Sequence, residues 1–537
     1  MLPLTKSWSE LEPQLRPLLL ELAEHVGVET AGRLLRRELA KANREFFARY
    51  YFPHYFEAPT PEWHFELDKI VDEAMATAGQ GRKGAVILAP RGHAKSTRLT
   101  FLRVIHEALF NDSIQFILVI SDTGTQTEKM ITAIKTEFEL NEKLREDFGD
   151  LVGERYWPVQ QWNNTNLTLC WPLESGKATR TGRPIIGRTK LIAGRSAGSS
   201  LRGLKHRAAR PNLIILDDVE NREAVESPTQ REKLRTWFWS DVVPMLAPGG
   251  VIVVIGTVLH YDCLLEHLAK SDMFRCVRFQ AIKEDGSPLW PERFPLEELE
   301  NLRQSMGTLL FNQEFMNIPI SGEVQVFPPE NFSWYTGREV AYDEEKGWLF
   351  RGEPLTVYLG VDPAIGSKEQ NDETALVTIG VTPSHDVVVL EAVAGRWPFP
   401  EQIKRILDCY YDWLPSMVGI ETNAYQKALK QAIQEKEIIP VRSLVHTGDK
   451  YMRLLRISPV QEAGKIYLRE ALTGEPGRPC PMNRIPRRVH ESCYVLYEQM
   501  IQYPKSARDD VVDALENAIS ISSARKFFER RGQENVP

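Results

Sequence analysis

The chain has 537 residues, 42% of them apolar and 26% charged, with a formal net charge of −7. That length is too great for one hydrophobic core and predicts two or three domains of an ordinary globular kind. No run of 18 apolar residues occurs, which excludes a predicted membrane-spanning helix, and six cysteines without CxxC spacing exclude a zinc ribbon or disulfide framework and fit a reducing cytoplasm.

Residues 1–45 read as a charged helical segment with apolar positions at helical spacing (Leu18, Leu19, Leu22, Val26). The first residues carry acids and no apolar h-region, so no signal peptide is expected. The aromatic-rich segment that follows offers Tyr51, Phe52, Tyr55 and Phe56, either as core or as a platform for an adenine ring. Apolar runs at 85–89, 116–121, 213–216 and 251–255 alternate with helical patterns, which predicts a parallel α/β sheet within residues 46–320.

The first run leads into Ala89, Pro90, Arg91, Gly92, His93, Ala94, Lys95, Ser96 and Thr97. An apolar strand, a short loop, and then a lysine and hydroxyls opening a helix is the order that a phosphate-binding P-loop requires. Backbone N–H groups and the helix N-terminus hold phosphate oxygens, Lys95 reaches the β/γ-phosphates of ATP, and Ser96 binds Mg²⁺. The two usual glycines are replaced by Ala89 and Ala94, so the motif needs a partner. Residues 177–210 then carry ten Lys/Arg and no acid, and residues 478–488 four arginines and no acid. In an acidic protein such runs point to a phosphate-backbone surface; the alternative is a solvated face.

The partner is Leu213-Ile-Ile-Leu-Asp-Asp-Val-Glu220, a buried strand with acids at its carboxyl end, where α/β sheets place their ligand chemistry. Asp217 suits Mg²⁺, and Asp218 or Glu220 suits polarisation of the attacking water. The strand at 251–255 ends near Thr257, a candidate γ-phosphate sensor. Arg91 and Arg202 are candidates to place charge on the transition state; Arg202, between flexible glycines, also suits a DNA contact.

Residues 321–352 read as a connector and candidate hinge, by their Pro, Gly and aromatic content. New strands are predicted at 357–361, 375–381 and 387–393. The first ends in Asp362 and a polar loop holds Asp372; a further apolar run at 418–420 ends in Glu421; a late helix opens with Asp509, Asp510 and Asp513. Acids from two strand ends and one late helix form an RNase H arrangement over residues 353–524. Clustered carboxylates repel and need hard cations, Mg²⁺ or Mn²⁺, which would activate water against a phosphodiester. Which of Asp509, Asp510 and Asp513 completes the set stays open. Lys427, Lys450, Arg453 and Arg456 lie between the acids, either to position a DNA backbone or as solvated charges. Residues 525–537 read as a flexible tail.

In order, APRGHAKST, LIILDDVEN, VVIGT, LGVDPAIG, VGIETNAYQ, GDKYMRLLRISP and ARDDVVDALENA resemble the large terminase subunit of tailed bacteriophages, from about Tyr50 to Ala524. The resemblance implies an additional-strand (ASCE) P-loop ATPase followed by an RNase H/RuvC-like endonuclease. It implies double-stranded DNA as substrate, a homo-oligomeric ring docked on the portal protein of a procapsid, and a small terminase subunit as partner, in the cytoplasm of a bacterial host. It implies that Lys95, Ser96, Asp217 and either Asp218 or Glu220 carry ATP hydrolysis, and that Asp362, Glu421 and Asp510 or Asp513 hold nuclease metals. A helicase–nuclease of repair or restriction is the alternative, and a DNA-binding scaffold with degenerate sites a third reading.

Overall fold

The computed structural model describes residues 25–319, 325–364, 373–421, 429–434, 439–445, 450–480, 487–506 and 508–522. They divide into two compact units, Met1–Leu296 with Asn312–Pro319, and Glu297–Phe311 with Ile320–Pro537.

The first unit begins with α1 (Val28–Ala42), α2 (Arg44–Tyr51) and α3 (Glu62–Ala76). Asn43 starts α2 by accepting hydrogen bonds from the Glu45 and Phe46 amides. Its sheet contains β1 (Gly84–Leu88), β2 (Phe116–Ser121), β3 (Asn166–Pro172), β4 (Ile186–Ser196), β5 (Leu213–Asp217), β6 (Val251–Gly256) and β7 (Phe274–Arg278). The strand order is β3-β4-β2-β5-β6-β1-β7. All neighbours are parallel except β3 and β4. The central strands are continuous apolar runs (GAVIL, FILVIS, LIILD, VIVVIG) because helices cover both faces, so every side chain is buried. β6 stands between β1 and β5, so the lysine loop and the acid-ending strand are one strand apart.

The helix after the loop runs from residue 95 through a π-helical stretch, Thr97–Leu102, into α4 (Arg103–Phe110). Two buried arginines fix it. Arg98 pairs with Asp68 at 2.6 Å and Glu45 at 3.2 Å, and Arg103 with Glu107 and Asp72, both at 2.7 Å. Removing one partner of such a buried pair costs roughly 3–5 kcal/mol. The aromatic segment packs beside this helix: Tyr51 and Phe52 are core, Tyr51 Oη donates to Asp147 at 2.6 Å, and Phe56 packs against the same core. Tyr51 and Phe52 are therefore not an adenine platform; they fill space between α2 and the sheet. Tyr55 is exposed and sits 4.5 Å from the Phe101 ring.

The second unit has a sheet of β8 (Ser333–Tyr335), β12 (Thr356–Asp362), β13 (Thr374–Val381), β14 (Val387–Gly395), β15 (Met417–Glu421), β16 (Val441–Leu444) and β17 (Ile466–Arg469), in the order β16-β15-β12-β13-β14-β17-β8. β12, β13 and β14 form an antiparallel meander, and β15 and β16 continue parallel to β12. A small sheet of β9 (Val340–Asp343), β10 (Gly347–Phe350) and β11 (Glu353–Pro354) precedes it. The stretch read as a connector thus carries structure of its own. Its aromatics are there to pack: Tyr335 and Phe350 are buried together, and Tyr335 Oη donates to Val389 O at 2.7 Å. Of the predicted N-terminal helix, residues 1–24 lie outside the described residues, as do Asp372, Lys427 and the tail.

The last described helix, α5 (Asp510–Ile521), lies directly on β12 and β15. Gly360 and Gly419, paired across these strands, make this possible. A Cβ on Gly360 would stand 2.0 Å from Ala514 O and 2.5 Å from Ala518 N, while one on Gly419 would stand 3.1 Å from Asn517 O. Asn517 Nδ2 donates to Val361 O at 3.1 Å and pins the helix to the strand. Gly360→Ala should therefore destabilise the protein by roughly 1–3 kcal/mol in urea unfolding, and Gly419→Ala by clearly less. Equal costs at the two positions would show that helix contact does not set them.

Candidate active sites

In the first unit, β1 ends at the lysine loop. Ala89 N donates to Gly256 O at 3.0 Å, tying the loop to β6. Gly92 and Ala94 both have positive φ, 75° and 56°. For Ala94 this left-handed backbone costs about 1–2 kcal/mol relative to a right-handed one, which explains why a glycine is usual there. Lys95 Nζ donates to Thr257 Oγ1 at 2.8 Å and lies 3.4 Å from Asp218 Oδ2; Thr257 Oγ1 in turn donates to Ala89 O at 3.1 Å. Ser96 Oγ donates to Asp217 Oδ1 at 3.0 Å, and Thr100 Oγ1 to Asp217 Oδ2 at 2.5 Å. Burial, and next the charge of Asp218, push the Asp217 carboxyl up; the Thr100 and Ser96 hydroxyls and the Lys95 ammonium oppose this. Two carboxylates, three hydroxyls and a lysine thus converge from the end of β5, the end of β6 and the helix after the loop.

The loop is braced by two buried histidines. His93 Nδ1 donates to Arg91 O at 2.8 Å, and its ring stacks on Phe294 at 4.5 Å. His64 Nε2 donates to His93 O at 3.0 Å. Carbonyl oxygens only accept, so both tautomers are fixed. Pro90 is buried in the same loop, and Thr97 opens the π-helical stretch.

Glu220 is elsewhere. Its carboxylate accepts from the Leu264 and Leu265 amides at 2.7 and 3.1 Å, at the start of the helix Leu264–Ala269. It is committed to those orphan amides and does not face Lys95, so of the two acids only Asp218 lies beside the lysine. Arg91 ion-pairs with the buried Glu314 at 3.0 Å, and Arg222 pairs with the same carboxylate. Arg202 is exposed and lies 3.3 Å from Asp241, not on the loop. Thr100, Glu314 and Arg222 were not singled out from sequence. Thr100 had a signal, four residues after Ser96 on one helix face; Glu314 had none.

In the second unit, Asp362 and Glu421 end the neighbouring parallel strands β12 and β15, and α5 delivers Asp510 and Asp513 beside them. Burial, then the charges of Asp513, Glu421 and Asp510, hold the Asp362 carboxyl well above the usual carboxylate range. Lys450 Nζ lies 2.5 Å from Asp513 Oδ2 and 2.7 Å from Asp509 Oδ1. Burial pulls its ammonium down, and the charges of Asp513 and Asp509 more than reverse that. Asp513 is pushed up to about 6 by burial against the pull of Lys450. Arg453 Nη2 lies 3.5 Å from Asp513 and Nη1 3.6 Å from Glu516. Lys450 and Arg453 are thus turned onto the acids, where they offset like-charge repulsion, instead of outward to a nucleic-acid backbone.

The donors are carboxylate oxygens, the chemistry that Mg²⁺ or Mn²⁺ prefers. Among the described residues, no three His, Cys, Asp or Glu are gathered tightly enough to form a finished ligand set. The same residues show no helix long and apolar enough to cross a membrane.

No protein-family profile matches the chain, and no curated protein matches it. Among solved structures, it is similar to the large terminase of a thermophilic bacteriophage, at 11% identity and a TM-score of 0.43, over 86% of this chain and 99% of that one. It is similar to the HK97 bacteriophage large terminase, at 12% identity and a TM-score of 0.30, over 87% and 95% of the two chains. The ATPase domain of the Thermus phage P74-26 large terminase is similar to 45% of this chain over 92% of its own length, at 18% identity and a TM-score of 0.31.

The buried histidines give the first unit an acid limit. Burial lowers His64 and His93 to about 4 and His106 to about 3. Their unfolded forms bind protons near pH 6.5, so the unfolded state gains protons first as pH falls. The histidine contribution to unfolding free energy should therefore be flat above pH 7 and fall between about pH 6.5 and 4, with up to about 1.4 kcal/mol per pH unit from each histidine. Urea midpoints of the parent and of His64→Gln across that range check this; a parent curve no steeper than the variant's would contradict it.

Proposed function

We propose that this chain is a large terminase subunit, a motor that drives double-stranded DNA into a procapsid by hydrolysing ATP and cuts concatemeric DNA with a metal-dependent nuclease. The reading is carried by one observation: Lys95 and Ser96 meet Asp217, Asp218 and Thr257 at the ends of β1, β5 and β6. A carboxylate set at the ends of β12 and β15 supports its second half. The interposed β6 fits an additional-strand P-loop ATPase, and the β14-β13-β12-β15-β16 order fits an RNase H-like nuclease.

In this reading the loop amides and Lys95 would bind the ATP phosphates, and Ser96 and Asp217 would hold Mg²⁺, whose charge would offset that of the phosphates. Asp218 orients the attacking water. Thr257, bonded to Lys95 and to the loop, registers whether the lysine has left for a phosphate. Arg91, paired with Glu314, is the nearer arginine to the loop. Arg202, held only at the surface, is left to act on a neighbouring subunit of the ring or on DNA. In the second unit Asp362, Glu421, Asp510 and Asp513 would hold Mg²⁺ or Mn²⁺, which supplies a water nucleophile and stabilises the leaving oxygen. Asp509 is occupied by Lys450 and serves to hold it. Portal protein and a small terminase subunit are the protein partners, in the host bacterial cytoplasm.

Lys95→Ala should lower DNA-stimulated ATP hydrolysis by roughly 100-fold or more and leave the folded state intact. Asp362→Ala should lose cleavage of plasmid DNA in Mg²⁺ or Mn²⁺ while keeping ATP hydrolysis. Parent-level turnover in the first variant, or parent-level cutting in the second, removes that half of the proposal. ATP-dependent protection of DNA by a portal-bearing procapsid separates a packaging motor from a helicase–nuclease.

Lys450 competes with metal for Asp513. Lys450→Met should bind Mn²⁺ roughly tenfold more tightly in calorimetry, the equivalent of about 1.4 kcal/mol. An unchanged affinity would show that the lysine does not contend for that carboxylate.

A further inference from the structure

The acid-free basic run does not act as one surface. Arg188 pairs with Asp112, Lys190 Nζ donates to Asn111 O at 2.7 Å, and Arg210 Nη1 donates to Pro244 O at 2.8 Å. These cations serve the fold. A second group is different. Between β3 and β4 the chain forms a hairpin over residues 173–186, and Lys177, Arg180 and Arg183 all lie exposed on it. None of these three has an ion-pair partner among the described residues.

Hydrogen bonds cross the hairpin at several points. Leu173 N donates to Ile185 O at 2.9 Å, Ile185 N to Lys177 O at 3.1 Å, Thr179 N to Arg183 O at 2.8 Å and Gly182 N to Thr179 O at 2.9 Å. The Thr179 hydroxyl accepts from Arg183 N at 3.1 Å, and Gly182, at φ 81°, takes the left-handed position that closes the turn. Trp157 braces the base: its N donates to Pro184 O and its O accepts from Ile186 N, at 2.9 and 3.1 Å. Its side chain leaves the residue 53% exposed. Glu174, at the base, is the only acid on the hairpin.

We propose that this hairpin is a contact element for the phosphate backbone of duplex DNA, with Lys177, Arg180 and Arg183 as its phosphate ligands and Trp157 as its brace. Three unpaired cations on one ordered turn suit a partner with closely and regularly spaced charge, and each DNA strand carries a phosphate about every 3.4 Å. A two-stranded ribbon also fits between duplex backbones. A single strand is disfavoured, because such binders set successive aromatic rings against the bases and the tip carries none. The proposal rests on the reading of the chain as a DNA motor and names where the first unit grips its substrate.

The test uses the full chain and a fluorescent duplex of about 30 base pairs, with anisotropy titrations from about 50 to 200 mM KCl. The triple variant Lys177→Ala/Arg180→Ala/Arg183→Ala should lower the slope of log affinity against log salt by roughly 2 to 3, since each phosphate contact contributes about 0.9. ATP hydrolysis without DNA should match the parent, and its stimulation by DNA should fall. Arg180→Lys/Arg183→Lys should keep the parent slope. If the parent binds duplex and the triple variant has the same slope and affinity, the hairpin proposal fails and the motor reading stands. If the parent neither binds duplex nor hydrolyses ATP, both fail. If the triple variant keeps duplex binding but loses binding to poly-glutamate, the hairpin is a site for an acidic protein and the proposal is overturned.

Discussion

A carboxylate fully enclosed at the end of a parallel strand is the constraint around which the first unit is arranged. Asp217 has no access to water, and an ionised acid in such a place needs donors from its neighbours. The donors are Ser96 and Thr100, one helical turn apart on the helix after the loop, so that helix must dock with this face on the end of β5. Docking in turn requires the loop to reverse tightly between β1 and the helix. Ala94 meets that requirement in a left-handed conformation that its side chain disfavours, and the stacked His93 and Phe294 rings hold it there. The buried pairs of Arg98 and Arg103 fasten the outer side of the same helix to α2, α3 and itself. Strain in the loop and charge in the core are thus two consequences of placing one acid.

The second unit faces a related problem and solves it differently. Its acids gather around strand ends that are partly open, and the charges that answer them come from cations, not hydroxyls. Repulsion is relieved by two cations from the chain itself, Lys450 and Arg453, both directed at Asp513. The geometry depends on Gly360 and Gly419. A side chain at Gly360 would push α5 from the sheet, and with it Asp510 and Asp513 from Asp362, while one at Gly419 would only crowd it. The backbone therefore supplies the closeness, and the lysine supplies the charge that makes closeness tolerable.

Much of this was legible in the sequence because it is local. Apolar runs ending in Asp217, Asp362 and Glu421 are strands ending in acids whatever surrounds them, and the Asp510/Asp513 spacing defines one helix face. What misled was also local. Glu220 stands two residues from Asp218 and has the same charge, yet a helix 44 residues later claims it through two backbone amides. Tyr51 and Phe52 have the chemistry of a base-stacking platform, and only packing against the sheet shows that they are core. The aromatic stretch before β12 looked like a linker because its partner, Val389, is far along the chain. Basic residues were the least legible, since sequence does not reveal which cations are already neutralised; Arg453 and Arg188 are, Arg180 and Arg183 are not.

The two sheets also bear on the choice between the proposed motor and a helicase–nuclease. A helicase that moves by two RecA-like domains needs a second parallel sheet with its own arginine poised on the nucleotide. The second sheet here begins instead with an antiparallel meander, β12 to β14, and its strand ends present acids. Among the described residues, the charged groups converging there are carboxylates and the two cations that answer them, a set suited to holding divalent metal and unsuited to holding a phosphate tail. If the first unit converts ATP into movement, the counterpart that moves against it must then come from outside this sheet. A neighbouring copy of the first unit is the simplest source, and it gives the exposed Arg202, held in its own chain only by a surface pair with Asp241, a use. On the proposed reading, the carboxylate cluster of the second unit has its own donors, its own counter-cations Lys450 and Arg453, and its own packing requirement at Gly360.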